Sequence, residues 1–184
     1  MSSADSLEFG NLTIECRQGD ITEQPDMDAV VNAANAQLMP GGGVAGAIHR
    51  RAGRSLAEEC MPLAPIRPGE AVITGAHNLP NRHIIHCLGP IYGVDQPEDE
   101  LLAACYRNAL SLAEANGLAS IAFPAISTGA FGYPLEPAAH VTMGAIRDFS
   151  GYRNLRQIRF VLWSAGDCEV FTEAMKLVLG STGE

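Results

Sequence analysis

Residues 32–46 read NAANAQLMPGGGVAG, and the fold turns on how their glycines are read. Gly41, Gly43 and Gly46 match the G-x-G-x-x-G spacing of a dinucleotide-binding turn. In that motif the first glycine turns directly off a strand, and an acidic residue about 20 positions on closes the next strand. Here the nearest strand pattern, Ala29-Val30-Val31, is separated from Gly41 by a polar stretch centred on Asn32 and Asn35. Glu58 and Glu59 lie near the required distance but fall inside a helical pattern. The context argues against a Rossmann unit. Gly41-Gly42-Gly43 opening a helix is still informative, because backbone without Cβ atoms lets a ligand approach and turns several N–H groups toward it. The positive end of the following helix favours a phosphate there. Taken alone, the stretch reads equally well as a flexible loop before a helix.

Outward from this stretch, strand and helix patterns alternate. Asn11–Gln18 alternates Leu12, Ile14 and Cys16 with polar residues, as a half-buried strand does. From Val44 to about Cys60 apolar residues recur at helical spacing. Ala71–Ala76 and His83–Leu88 are strand patterns separated by a turn at Asn78–Asn81. Glu98–Asn116 is the strongest helix: it follows Pro97, is acidic in its first turn and stops at Asn116-Gly117. Ser120–Phe123 and Ile158–Trp163 read as strands, Glu136–Phe149 and Asp167–Leu179 as helices. Such alternation gives a largely parallel sheet with helices on both faces, and ligands then sit on the loops at the carboxyl ends of its strands.

The 184 residues are the length of one ordinary domain, and 47% hydrophobic with 18% charged residues fits a globular chain. No apolar run approaches the ~20 residues that span a bilayer, and MSSADSLEFG lacks a basic and apolar leader. Cys16, Cys60, Cys87, Cys105 and Cys168 are scattered and form no CxxC pair, so they read as buried free thiols in a reducing cytoplasm. A net charge of −9 speaks against nucleic acid, whose binding needs lysines and arginines to displace counterions. The basic residues His49, Arg50, Arg51, Arg54, Arg147, Arg153, Arg156 and Arg159 read as solvated faces. A phosphate ligand must then be held by backbone N–H groups.

A second loop fits that requirement. Pro124–Pro134 reads PAISTGAFGYP, following one buried strand and preceding a helix. Ser127 and Thr128 offer hydroxyls, Gly129 and Gly132 permit tight turns, and Phe131 offers an aromatic face. Two such loops on neighbouring strand ends could hold a diphosphate, although each alone also reads as an ordinary connection. Neither carries GK[ST], which argues against nucleotide hydrolysis by a P-loop.

Gly19-Asp20-Ile21, Val30-Val31-Asn32-Ala33-Ala34-Asn35, Gly41-Gly42-Gly43-Val44 and Phe123-Pro124-Ala125-Ile126-Ser127-Thr128-Gly129 together resemble the macrodomain family, in order, from about Leu12 to Leu179. The resemblance implies a single domain over 1–184 with its core at about 12–179, built as a three-layer α/β/α sandwich around a mostly parallel mixed sheet. It implies ADP-ribose as ligand, free or on protein, and for the MacroD-like branch release of ADP-ribose from acidic side chains or hydrolysis of O-acetyl-ADP-ribose. Asp20 would then accept from the adenine amine with the Ile21 N–H beside it; read without the family, Asp20 is a turn residue. Trp163 would lie near adenine, although a lone tryptophan can equally be core. Gly41, Gly42, Gly43, Val44 and Ala45 would wrap the diphosphate and distal ribose with Ser127, Thr128, Gly129, Ala130 and Phe131. Asn35 would hydrogen-bond the distal ribose, its amide both donating and accepting, while Asn32 would hold the loop shape.

One position departs from the pattern. Where MacroD-like enzymes read Gly-Val-Asp-Gly-Ala-Ile-His, this chain reads Gly43-Val44-Ala45-Gly46-Ala47-Ile48-His49. Ala45 cannot take a proton, and general-base help is worth about 10²–10⁴ in rate. Two readings follow: an ADP-ribosyl ester hydrolase whose water is positioned by the substrate phosphate, with Asn35 aligning the ribose, or a reader that binds without turnover. His49, one turn on from Ala45, reads as packing locally, and His86 as a core histidine. His77, His83 and His140 show no ligand spacing with any cysteine, so neither a metal nor a cofactor is expected. No membrane association is expected, and the chain is expected to be a monomer.

Overall fold

The computed structural model describes residues 5–180. Seven strands form one sheet in the order β1-β2-β7-β6-β3-β5-β4. They are β1 (Asp5–Phe9), β2 (Leu12–Gln18), β3 (Ala29–Ala33), β4 (Ala71–Gly75), β5 (His83–Cys87), β6 (Ser120–Phe123) and β7 (Gln157–Leu162). The five central strands run parallel, while β1 pairs antiparallel with β2 and β4 antiparallel with β5. The helices are α1 (Gly43–Ala52), α2 (Arg54–Cys60), α3 (Glu98–Ala115), α4 (Leu135–Asp148) and α5 (Ala165–Leu179), with a 3-10 turn at Met61–Leu63.

Alternation along the strands sorts the core into two layers. Ala29 and Val31 of β3 point toward Leu102, Ala109, Met143 and Phe171 of α3, α4 and α5, where Phe123 and Phe160 stack with centroids 5.7 Å apart. Val30, Ile84, Ala122 and Val161 face the other way, onto Ile48, Ala52 and Leu56 of α1 and α2. The result is a three-layer α/β/α sandwich around a mostly parallel mixed sheet.

Two local features differ from the reading by pattern. The helix expected from Val44 to about Cys60 is two helices, broken at Gly53 with φ of 92°. A Cβ there would lie 2.9 Å from Asn78 Nδ2, so the break is also where the turn after β4 closes on the helix pair. The first strand, Asp5–Phe9, has no buried residue. Its polar composition hid it, since only its pairing with β2 defines it.

Candidate functional site

Strands β6, β3 and β5 are neighbours, and their carboxyl ends surround a cavity of about 320 Å³. Ala33 ends β3 and Ala34 and Asn35 follow it, Gly89 follows β5, and Ala125–Ser127 with Gly129–Phe131 follow β6. Gly41 through Ala45 complete the wall. The paired glycine loops expected from the sequence do converge, and no charged side chain lines the cavity.

The first loop is shaped by three contacts. Asn35 Nδ2 donates to the Met39 carbonyl at 2.8 Å, and the Met39 N–H donates to Asn35 Oδ1 at 3.1 Å. Asn35 therefore pins the loop as well as lining the cavity, with one N–H and one lone pair unspent. Gly46 does what the sequence reading left unassigned: a Cβ there would sit 2.3 Å from the Gly41 carbonyl oxygen. Its bareness lets the loop fold back over the first turn of α1. A Cβ on Gly42 or Gly43 would meet nothing within 4 Å, which leaves that face open to a ligand. Because the N-cap is Gly42, no side chain caps the helix, and the amides of Gly43, Val44 and Ala45 have no intrahelical partner.

In the second loop both hydroxyls are already committed. Ser127 Oγ donates to the Pro90 carbonyl at 2.8 Å and Thr128 Oγ1 to the Ala125 carbonyl at 2.8 Å. Thr128 stays outside the cavity lining, while Ser127, at φ of 68°, contributes backbone. This bend needs Gly89, where a Cβ would lie 2.1 Å from Ser127 Oγ. The amides of Gly129, Ala130 and Phe131 have no partner among the described residues. The loop offers N–H groups, as an anion requires.

Asn32 does not shape the loop. It is buried on β3, and its Nδ2 meets His86 Nδ1 at 3.0 Å. Thr74 Oγ1 donates to the Gly75 carbonyl at 3.0 Å, so at 2.9 Å from His86 Nε2 it is the acceptor of the ring N–H. That assigns the His86 tautomer: Nε2 protonated, Nδ1 accepting from Asn32. Burial, with His49 adding to it, pushes the imidazole down to about 3. His49 is buried as well, with its own pKa lowered by burial. It is no part of a solvated basic face.

The other expected residues lie along the same sheet edge, beyond the cavity. Gln18 and Leu162 are paired across β2 and β7, so the Gly19–Asp20 turn and Trp163 leave adjacent strand ends. Asp20 Oδ1 accepts both from the Thr22 N–H at 2.8 Å and from Thr22 Oγ1 at 2.7 Å. Asp20 Oδ2 and the Ile21 N–H have no partner among the described residues, leaving an acceptor and a donor side by side. Trp163 is 81% exposed, which excludes the core reading of that ring. From β2 to β5 the groove crosses four strand spacings, about 19 Å. Ala33, Ala34, Ala125 and Ile126, quoted in the motifs but given no role, also line the cavity, as does Gly89, which no motif contained. For Gly89 the available signal was a Gly-Pro step directly after a strand pattern.

A parallel sheet whose strand ends carry two amide-rich loops defines an anion-accepting α/β/α domain. A Macro domain model matches residues 31–142, and the chain belongs to that family. The O-acetyl-ADP-ribose deacetylase of Salmonella typhimurium is 46% identical over 164 residues, spanning 86% of this chain and 91% of the relative. The Oceanobacillus iheyensis macrodomain, solved with ADP, superposes with a TM-score of 0.91 at 38% identity, covering 97% of this chain and 98% of that one. The Trypanosoma brucei macrodomain in complex with ADP-ribose gives a TM-score of 0.80 at 38% identity, covering 87% and 68%.

Proposed function

We propose that the protein binds ADP-ribose along this groove and hydrolyses mono-ADP-ribose esters, on protein Asp or Glu or as O-acetyl-ADP-ribose. The observation that carries the reading is the cavity between Gly41–Ala45 and Ser127–Phe131, lined by unspent amides and no competing charge. The diphosphate would lie against those amides and the α1 terminus. Adenine would meet Asp20 Oδ2 and the Ile21 N–H, with Trp163 beside it, and Phe131 would lie against the distal ribose. Asn35 keeps one donor and one acceptor for the ribose hydroxyls. The similarity to a deacetylase at 46% identity supports ester hydrolysis.

No carboxylate or imidazole lines the cavity to take a proton, since the helix presents Ala45 there. Water would be oriented by a phosphate oxygen of the substrate; for an Asp or Glu ester at the anomeric carbon, the diphosphate charge would stabilise the oxocarbenium that develops as the carboxylate leaves. That same Ala45 favours a second reading, a binding module without turnover. A calorimetric ADP-ribose titration paired with a time course on a Glu-linked ADP-ribosylated protein separates them. Binding with release above the buffer rate is expected; binding without release leaves the reader, and no binding removes both.

A further inference from the structure

Arg159 read from the sequence as part of a solvated face, yet it is 1% exposed in the middle of β7. A guanidinium is held there only by full satisfaction of its charge and donors. Its Nε donates to Glu15 Oε1, its Nη2 to Asp26 Oδ2 at 2.6 Å, and its Nη1 to Asp26 Oδ1 at 2.8 Å. Two carboxylates already answer the charge. Nη1 also donates to a neutral partner, Gln24 Oε1, at 2.8 Å.

That fourth bond fixes which way the buried Gln24 amide faces. With Oε1 turned to the guanidinium, Nε2 must point the other way, and it donates to the Asp20 backbone carbonyl at 2.8 Å. The Gln24 backbone is held in turn, its carbonyl accepting from Asn81 Nδ2 at 2.7 Å and from the Met27 N–H at 3.1 Å. Strand β7 is thereby tied through one side chain to the Asp20–Ile21 peptide, whose carbonyl also accepts from the Glu23 N–H at 3.0 Å within the turn.

We infer that Arg159 and Gln24 are positioning residues that set the base preference of the groove, by holding the Asp20–Ile21 acceptor–donor pair in register with adenine. The inference rests on the proposed reading of Asp20 as the base contact. Adenine presents a donor amine beside an acceptor ring nitrogen; hypoxanthine presents the reverse pattern at the same two atoms. A rigid pair discriminates between them, whereas a pair free to rotate with its peptide does not.

The test titrates ADP-ribose and its hypoxanthine counterpart, inosine diphosphate ribose, into the wild-type protein, Asp20→Ala, Gln24→Met and Gln24→Glu, with Tm measured for each. Gln24→Glu keeps the acceptor that Arg159 uses but turns a carboxylate oxygen toward the Asp20 carbonyl in place of the donor, so Tm is read beside the affinities and the ratio between the two ligands decides the outcome. Wild type is expected to prefer ADP-ribose by about tenfold or more, and Asp20→Ala to abolish that preference. Both Gln24 variants are expected to reduce the preference by about fivefold, one hydrogen bond's worth, through weaker ADP-ribose binding with the hypoxanthine ligand unchanged. Equal weakening of both ligands, or an unchanged preference in Gln24→Glu, overturns the inference while leaving the Asp20 reading intact. If wild type shows no preference and Asp20→Ala changes nothing, the Asp20 reading itself fails, and the inference falls with it.

Discussion

The two ends of the groove solve recognition with opposite materials. At the β3/β6 end the chain presents bare backbone: three adjacent glycines, an uncapped helix and a second loop whose two hydroxyls are turned inward to carbonyls. At the β2/β7 end it presents one carboxylate, Asp20, on a turn braced by a buried arginine with two acidic partners. The difference follows from the ligand chemistry each end can meet. A diphosphate needs N–H groups and room to approach, which side chains would only obstruct. A base edge needs an acceptor and a donor at fixed angles, which requires a rigid turn.

Putting a charge into the uncharged end is the most severe way to break this contrast. Ala45→Asp adds a proton acceptor to the cavity wall, and ester hydrolysis is expected to rise by about 10²–10⁴ in a single-turnover assay. An unchanged rate would mean that a base at this position is not what limits the reaction. Next comes the space itself. Gly46→Val drives a Cβ to 2.3 Å from the Gly41 carbonyl, and displacing that loop is expected to cost about 1–3 kcal/mol of ADP-ribose binding in calorimetry. Retained affinity would show that the loop conformation is not needed.

At the braced end, Asp20→Ala would remove the proposed charge-assisted contact to adenine and is expected to weaken ADP-ribose about tenfold, the lower range for such bonds. Ribose 5-phosphate, which lacks the base, should be unaffected; parallel weakening of both would contradict the base assignment. Two pH effects act on stability rather than on the ligand. His86 has a folded pKa of about 3 against an ordinary 6.5, so the unfolded chain binds the proton first. Stability is lost as pH falls from about 6.5 toward 3, by up to about 1.4 kcal/mol per pH unit, and His86→Gln should flatten that slope in Tm measurements. Asp26 is held at about 2 chiefly by its hydrogen bonds to Arg159, so its contribution is present above about 4 and lost as pH falls toward 2. Its side chain is 57% exposed, and solvent screening keeps that loss within about 1 kcal/mol.

Much of this was legible beforehand because periodicity reports burial directly. The apolar runs in Ala29–Val31 and Ser120–Phe123 read as buried strands and are central ones, and the helix punctuation around Glu98–Asn116 matches α3 within one residue. What escaped the pattern depends on partners distant in sequence. The break at Gly53 answers Asn78, strand Asp5–Phe9 exists through β2, and Ser127 turns its hydroxyl away because Pro90 offers a carbonyl. Arg159 is the sharpest case: local spacing reads a surface cation, whereas its acidic partners come from the segments carrying Glu15 and Asp26, at the other end of the chain.

The sequence by itself determined the alternation of elements, the family they belong to and the identity of the groups at the groove, including the alanine where a base is expected. Those are properties of residue type and order, and they survive without coordinates. The tertiary structure decided how each group is used: which amides stay unpaired, which hydroxyls are already bonded, that Asn35 rather than Asn32 pins the glycine loop, and that Arg159 is buried. Hydrogen bonding and burial are relations between segments, and no single stretch of chain carries them.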